Sequence, residues 1–210
     1  MEEMGPYGRI KKYIKLIFNR PYIPLGITLG KNPLLLHISD TPREIYPYII
    51  RFIELLQPDY IVHTGDLIDN VKLETRPNGV AEYRDLLNVW LPRLENSSDA
   101  VIYYVMGNHD KPSIVREISK KGVLPRGKYI NIEGIEFYVD HYHSTGEGKA
   151  DYYLYGHSFE PYSHKKGKGV FLNGLNFINV IDLGQGQVYN LPYPLETNTL
   201  RRMTNKRVLL

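Results

Sequence analysis

The chain has 210 residues, 42% of them hydrophobic, which suits one domain with an ordinary buried core. It contains no cysteine, so disulfides, thiolate zinc ligands and a cysteine nucleophile are excluded, and oxygen and nitrogen groups must carry any chemistry. That usage points to the cytoplasm, while a formal net charge of +3 is too small to name a partner.

The start of the chain lacks the basic-then-apolar layout of a signal peptide, and no apolar run reaches the roughly 20 residues that a membrane-spanning helix needs. Residues 9–18 place Ile10, Tyr13, Ile14, Ile17 and Phe18 at helical spacing with Arg9, Lys11, Lys12 and Lys15 opposite, which predicts a basic amphipathic helix. Pro21, Pro24, Gly26, Gly30 and Pro33 then mark residues 19–33 as a linker. Residues 1–33 thus precede the main domain.

From residue 34 the pattern alternates. Residues 34–39 read as a buried strand, 45–56 as a helix, 60–64 as a strand, 80–94 as a helix, 100–106 as a strand and 113–121 as a helix. Residues 128–132 and 135–140 read as a hairpin around Glu133-Gly134. Short strands follow at 152–155, 170–172, 175–183 and 188–190, separated by turns such as Asn173-Gly174. Helices between strands early and turns between strands late predict an α/β fold, a two-sheet β-sandwich flanked by helices over residues 34–190. Residues 191–210 read as a C-terminal tail.

Each of five predicted strands ends in a loop with groups that bind hard metal ions. These are Asp40, then Gly65-Asp66, then Gly107-Asn108-His109-Asp110, then His141, then Gly156-His157. One such residue alone is an ordinary cap or turn former; five in order are not. Carboxylate, amide oxygen and imidazole together suit divalent manganese, iron, cobalt, nickel or zinc, and a glycine before the ligand permits close backbone approach. His143 stands near the same strand end as His141, so either is a candidate, His141 being nearer the strand. His37 and His63 lie inside apolar strands and read as satisfied core histidines.

Taken in order, these motifs resemble those of calcineurin-like metallophosphoesterases, over residues 34–190. The resemblance implies that Asp66 bridges two ions, that Asn108, His141 and His157 complete one site, and that Asp40 belongs to the other. It implies that His109 meets the phosphate and assists the leaving oxygen, with Asp110 orienting its ring. The family's first motif carries a histidine where this chain has Pro42, and its last carries one where this chain has Phe159. Both losses fall on one site, so one tight ion is expected and a second that is weak or absent, unless His143, His164 or His37 substitutes.

The implied activity is hydrolysis of phosphate esters, diesters preferred, with a nucleotide or nucleic acid among the candidate substrates. The alternative is a binding platform with little turnover, docking a protein or nucleic acid through the N-terminal helix or the Arg201-Arg202 and Lys206-Arg207 tail. The Lys165-Lys166-Gly167-Lys168 run reads as a solvated hairpin tip.

Overall fold

A computed structural model of the chain describes residues 20–24, 26–27, 31–145 and 148–201. The helix expected over residues 9–18 and most of the basic tail lie outside the described residues. Two sheets form the body. The first has the order β11-β10-β1-β2-β3-β4 and the second β5-β6-β7-β9-β8. Their strands are β1 (Leu34–Ile38), β2 (Tyr60–His63), β3 (Val101–Tyr104), β4 (Gly122–Val123), β5 (Tyr129–Ile132), β6 (Ile135–Val139), β7 (Tyr152–Tyr155), β8 (His164–Lys166), β9 (Gly169–Asn173), β10 (Ile178–Asp182) and β11 (Gln187–Leu191). The helices are α1 (Tyr46–Leu56), α2 (Val80–Glu95), α3 (Pro112–Ile118) and α4 (Thr197–Leu200).

Alternation along β1 shows how the layers are made. Leu34, Leu36 and Ile38 pack with Ile49, Phe52 and Ile53 of α1 and with Leu87 and Leu91 of α2. Leu35, one residue out of phase, joins Val62, Ile181, Phe137, Val139, Leu154 and Leu172 between the two sheets. A strand buried on both faces reads as an unbroken apolar run because successive side chains point to opposite layers. The far face of the second sheet carries Tyr138, Tyr153, Tyr155 and Phe171.

The expected hairpin closes as a two-residue turn. Ile132 pairs with Ile135, and Glu133 and Gly134 take positive φ of 53° and 79°. The lysine run is the turn between β8 and β9. The segment after residue 190 departs from its reading as a tail: Leu191, Tyr193, Thr197 and Arg201 are all buried, and Arg201 is entirely so. Arg201, read as part of a docking surface, is core. No helix among the described residues is long and apolar enough to cross a membrane.

Candidate metal centre

The parallel strands β1, β2 and β3 of the first sheet and β6 and β7 of the second all run into the loops that carry the candidate ligands. Such C-terminal strand ends are where α/β sheets place their sites. Asp40, Asp66 and His157 hold left-handed backbone, with φ of 51°, 55° and 66°. For residues with a side chain this conformation is uncommon, and three instances at one sheet end mark a place where function is built. Two glycines make room for it. A Cβ at Gly107 would lie 2.2 Å from Asp66 Oδ1, and one at Gly156 would lie 2.4 Å from Asp40 Oδ2.

Three side chains converge, with Asp66 beside one of them. Asn108 Oδ1 is 2.9 Å from His141 Nε2 and 3.1 Å from His157 Nδ1, and the two ring nitrogens are 3.2 Å apart. Asp66 Oδ2 lies 3.5 Å from His141 Nε2. Donors on a tetrahedral ion with bonds of 2.0–2.2 Å stand about 3.4 Å apart, so the mutual spacing of Asn108, His141 and His157, and that of Asp66 with His141, suits donors to a divalent ion. The orientations fit as well. His141 Nδ1 is 2.7 Å from the Thr64 carbonyl, which places the ring hydrogen there and leaves Nε2 for the cluster. Asn108 Nδ2 donates to Glu74 Oε2 at 2.6 Å, turning the amide oxygen inward.

Burial alone would lower the pKa of His141, but the hydrogen bond and charge of Asp66, with Asp40 behind, carry it up to about 9. Asp66 is pushed up by burial and drawn below the usual carboxylate range by His141 and His109, so it remains ionised. His157 is lowered by burial and by His141. His109 is lowered chiefly by burial, with Lys72 acting in the same direction.

The other half of the site is poorer. Asp40, Asp66 and His141 present ligand atoms within 4.8 Å of one another. Asp40 Oδ2 already accepts Ser39 Oγ at 2.6 Å and His157 N at 3.1 Å. None of the three possible substitutes completes it. His37 is held by Thr64 Oγ1 at 3.0 Å and Asn179 Nδ2 at 3.1 Å. The ring of His143 lies against Tyr155, His164 and Phe171, and that of His164 stacks on Phe171. His143 is thereby separated from His141, which alone of the two reaches Asn108. His63 donates to or accepts from Thr41 Oγ1 at 2.8 Å and accepts Gly65 N at 3.2 Å, a core histidine as expected.

His109 sits beside the cluster. Its backbone N donates to Asp66 Oδ1 at 2.9 Å, and its Nδ1 accepts Glu74 N at 3.3 Å. Asp110 differs from the reading as the residue that orients this ring. Its Oδ2 accepts Asp66 N and Gly107 N, both at 2.8 Å, and its Oδ1 accepts Leu67 N at 2.9 Å and Tyr83 Oη at 2.8 Å. With both oxygens engaged, Asp110 ties the loop after β2 to the loop after β3. Burial and the charge of Asp66 raise its pKa to about 6.

Three contributors carry little sequence signal. Asp69 is fully buried, presents a ligand atom within 4.8 Å of those of Asp66 and His109, and has its pKa raised to about 7 by burial and by Asp40. Glu74 orients Asn108, and Ser39 fixes Asp40. The spacing from Asp66 to Asp69 was the one hint available.

A two-sheet sandwich with an Asp, Asn and His cluster at its strand ends defines a metallophosphoesterase. The sequence matches the calcineurin-like phosphoesterase family over residues 33–202, and the chain belongs to that family, which implies divalent metal binding and phosphoric ester hydrolysis in general terms. Among solved structures, an archaeal phosphodiesterase is similar with a TM-score of 0.54 at 16% identity, over 76% of this chain and 99% of that one. A phosphoesterase from E. coli, Yfce, is similar with a TM-score of 0.46 at 16% identity, over 74% of this chain and 96% of that one. At such identity the first likeness speaks for the fold alone. Comparison with the curated proteins gives no match.

Proposed function

We propose that this protein is a phosphodiesterase that holds one divalent ion tightly through Asp66, Asn108, His141 and His157, and a second weakly or not at all. The observation that carries this reading is the convergence of Asn108 Oδ1, His141 Nε2 and His157 Nδ1 within 3.2 Å of one another, with Asp66 beside them. When bound, such an ion supplies Lewis acidity toward a phosphoryl oxygen and lowers the pKa of water. The chain's own residues do the rest. Asp66 provides carboxylate charge to both halves. The neutral His109 ring has Glu74 N at 3.3 Å from Nδ1 and the Asn108 amide nitrogen at 3.2 Å from Nε2, and it would meet a phosphoryl or leaving oxygen by exchanging that amide contact for the substrate. Asp110 fixes the two loops that carry Asp66 and His109.

Turnover of an aryl phosphodiester and of the matching monoester, measured after chelation and again with added Mn²⁺, tests the reading. Metal-dependent turnover with the diester faster is expected; none with either ester, in protein shown to hold its ion, would overturn it. Pro42 and Phe159 favour a second reading, a family fold kept as a binding platform. Pro42→His with Phe159→His should raise turnover in a weakened enzyme, and no gain in a folded, two-metal variant would favour the platform.

A further inference from the structure

The segment after Asp66 folds back on the loop that carries Pro42. Asp69 N donates to Thr41 O at 3.1 Å, and Arg43 N donates to Asn70 Oδ1 at 2.7 Å. This sets Asp69 against the half of the site that lacks its two histidines. Asp40, Asp66 and Asp69 are 2%, 2% and 0% exposed, so three carboxylates are crowded out of water. Buried carboxylates of this kind require cations or donors. Asp69 Oδ1 takes the Lys72 ammonium, whereas Asp69 Oδ2 is buried and has no hydrogen-bond partner among the described residues.

Lys72 is placed to meet more than Asp69. Its neighbours Val71 and Leu73 are buried in the core and anchor the loop, while the Lys72 side chain keeps 22% of its surface exposed. An ammonium has three donors, and Asp69 engages one. Arg201, the other cation near Asp40, is entirely buried and reaches only the backbone carbonyls of Ser39 and Asp40 there, so it cannot touch a substrate.

We propose that Lys72 is an anion-binding residue of this site. Its ammonium supplies, at the half that lacks two histidines, part of the positive charge a second ion would bring, and it binds a phosphoryl oxygen of the substrate beside His109. The proposal rests on the phosphoesterase reading given above. It explains how three carboxylates coexist where ligands for a full second ion are missing, and why a partly exposed lysine side chain stands against one of them.

Calorimetric titration of inorganic phosphate into the full chain, with saturating Mn²⁺ and after chelation, tests it in wild type and in Lys72→Met. Because Lys72→Met leaves Asp69 charged and buried, Asp69→Asn/Lys72→Met is measured alongside, removing both charges together. The phosphate dissociation constant should rise about tenfold or more in both variants, the worth of one charge-assisted hydrogen bond, with the tight Mn²⁺ event unchanged. Lys72→Arg should retain most of the affinity. Wild-type affinity in the folded double variant, or no phosphate binding by the wild type, would overturn the proposal and leave Lys72 a structural counter-ion. Lys72-dependent phosphate binding in a protein that holds no Mn²⁺ would instead overturn the metal reading and leave this one standing.

Discussion

Arg201 Nε donates to the carbonyl of Asp40 at 2.7 Å, across 161 positions of sequence. The same guanidinium donates to Ser39 O at 3.1 Å, Leu175 O at 2.6 Å and Asn198 Oδ1 at 2.9 Å, and its Cζ lies 4.4 Å from the Tyr193 ring centroid. A buried cation is tolerable only where dipoles or anions replace water, and here carbonyls do so. In return the loop that holds Asp40 in left-handed backbone is tied to the C-terminal segment.

Arg201→Met should therefore destabilise the fold by about 1.5–3 kcal/mol, the range for losing a charge-assisted hydrogen bond, because it leaves the carbonyls of Ser39, Asp40 and Leu175 without this donor. Urea unfolding measures this directly. An unchanged midpoint would mean that the guanidinium is incidental to the loop.

Metal titration should show one strong event. Asp66→Asn should weaken binding in both halves, whereas Asp40→Asn should leave the tight ion in place, since Asp40 is not among its four proposed ligands and an amide oxygen can still accept His157 N. Any second ion, left with two carboxylates and water, should be weak and best met by Mg²⁺ or Mn²⁺. Two events of equal affinity would contradict the ligand count.

The Glu74 carboxylate touches the centre through Asn108 Nδ2, at 2.6 Å, while its backbone N meets His109 Nδ1. Glu74→Ala should lower affinity for the tight ion about 10-fold, the lower end for outer partners of metal ligands, without unfolding the chain, because Glu74 is exposed. Competition with a chelating dye gives the number. No change would show that the amide needs no outside orientation.

The two core histidines should cost stability in mild acid. His37 and His63 are held down to about 3, chiefly by burial, against an unfolded value near 6.5. Between those values each of these two histidines binds more protons in the unfolded chain than in the folded one, so its contribution is complete above about pH 6.5 and is lost as pH drops toward 3, while Asp69 and Asp110, raised to about 7 and about 6, act in the opposite direction over part of that range. The slope approaches about 1.4 kcal/mol per pH unit for each histidine. Urea midpoints from pH 8 to pH 4, compared between wild type and His63→Gln, isolate one ring's share, and a difference that stays constant through pH 5 would show that this ring can charge in place.

Much of this molecule was legible beforehand because its signals are local. Strand and helix periods showed the order of elements, and Glu133-Gly134 announced its turn. Where the signal was not local, the reading was incomplete. His141 and His143 stand two residues apart, but the chain has left β6 there and strand parity no longer applies; contact with Asn108 separates them. Asp110 looked like a partner for the adjacent His109, yet its oxygens serve amides at Asp66 and Leu67, 44 and 43 positions away.

By itself the sequence determined the alternating layers, the five ligand-bearing strand ends and the loss of two histidines at Pro42 and Phe159, since periodicity and residue type are properties of short stretches. Only the tertiary structure decided which histidine meets Asn108, that Arg201 is core, and that Lys72 stands against Asp69 beside the depleted half. Each of these is a contact between loops whose approach is set by sheet register and by hydrogen bonds across the chain, and no local spacing encodes it.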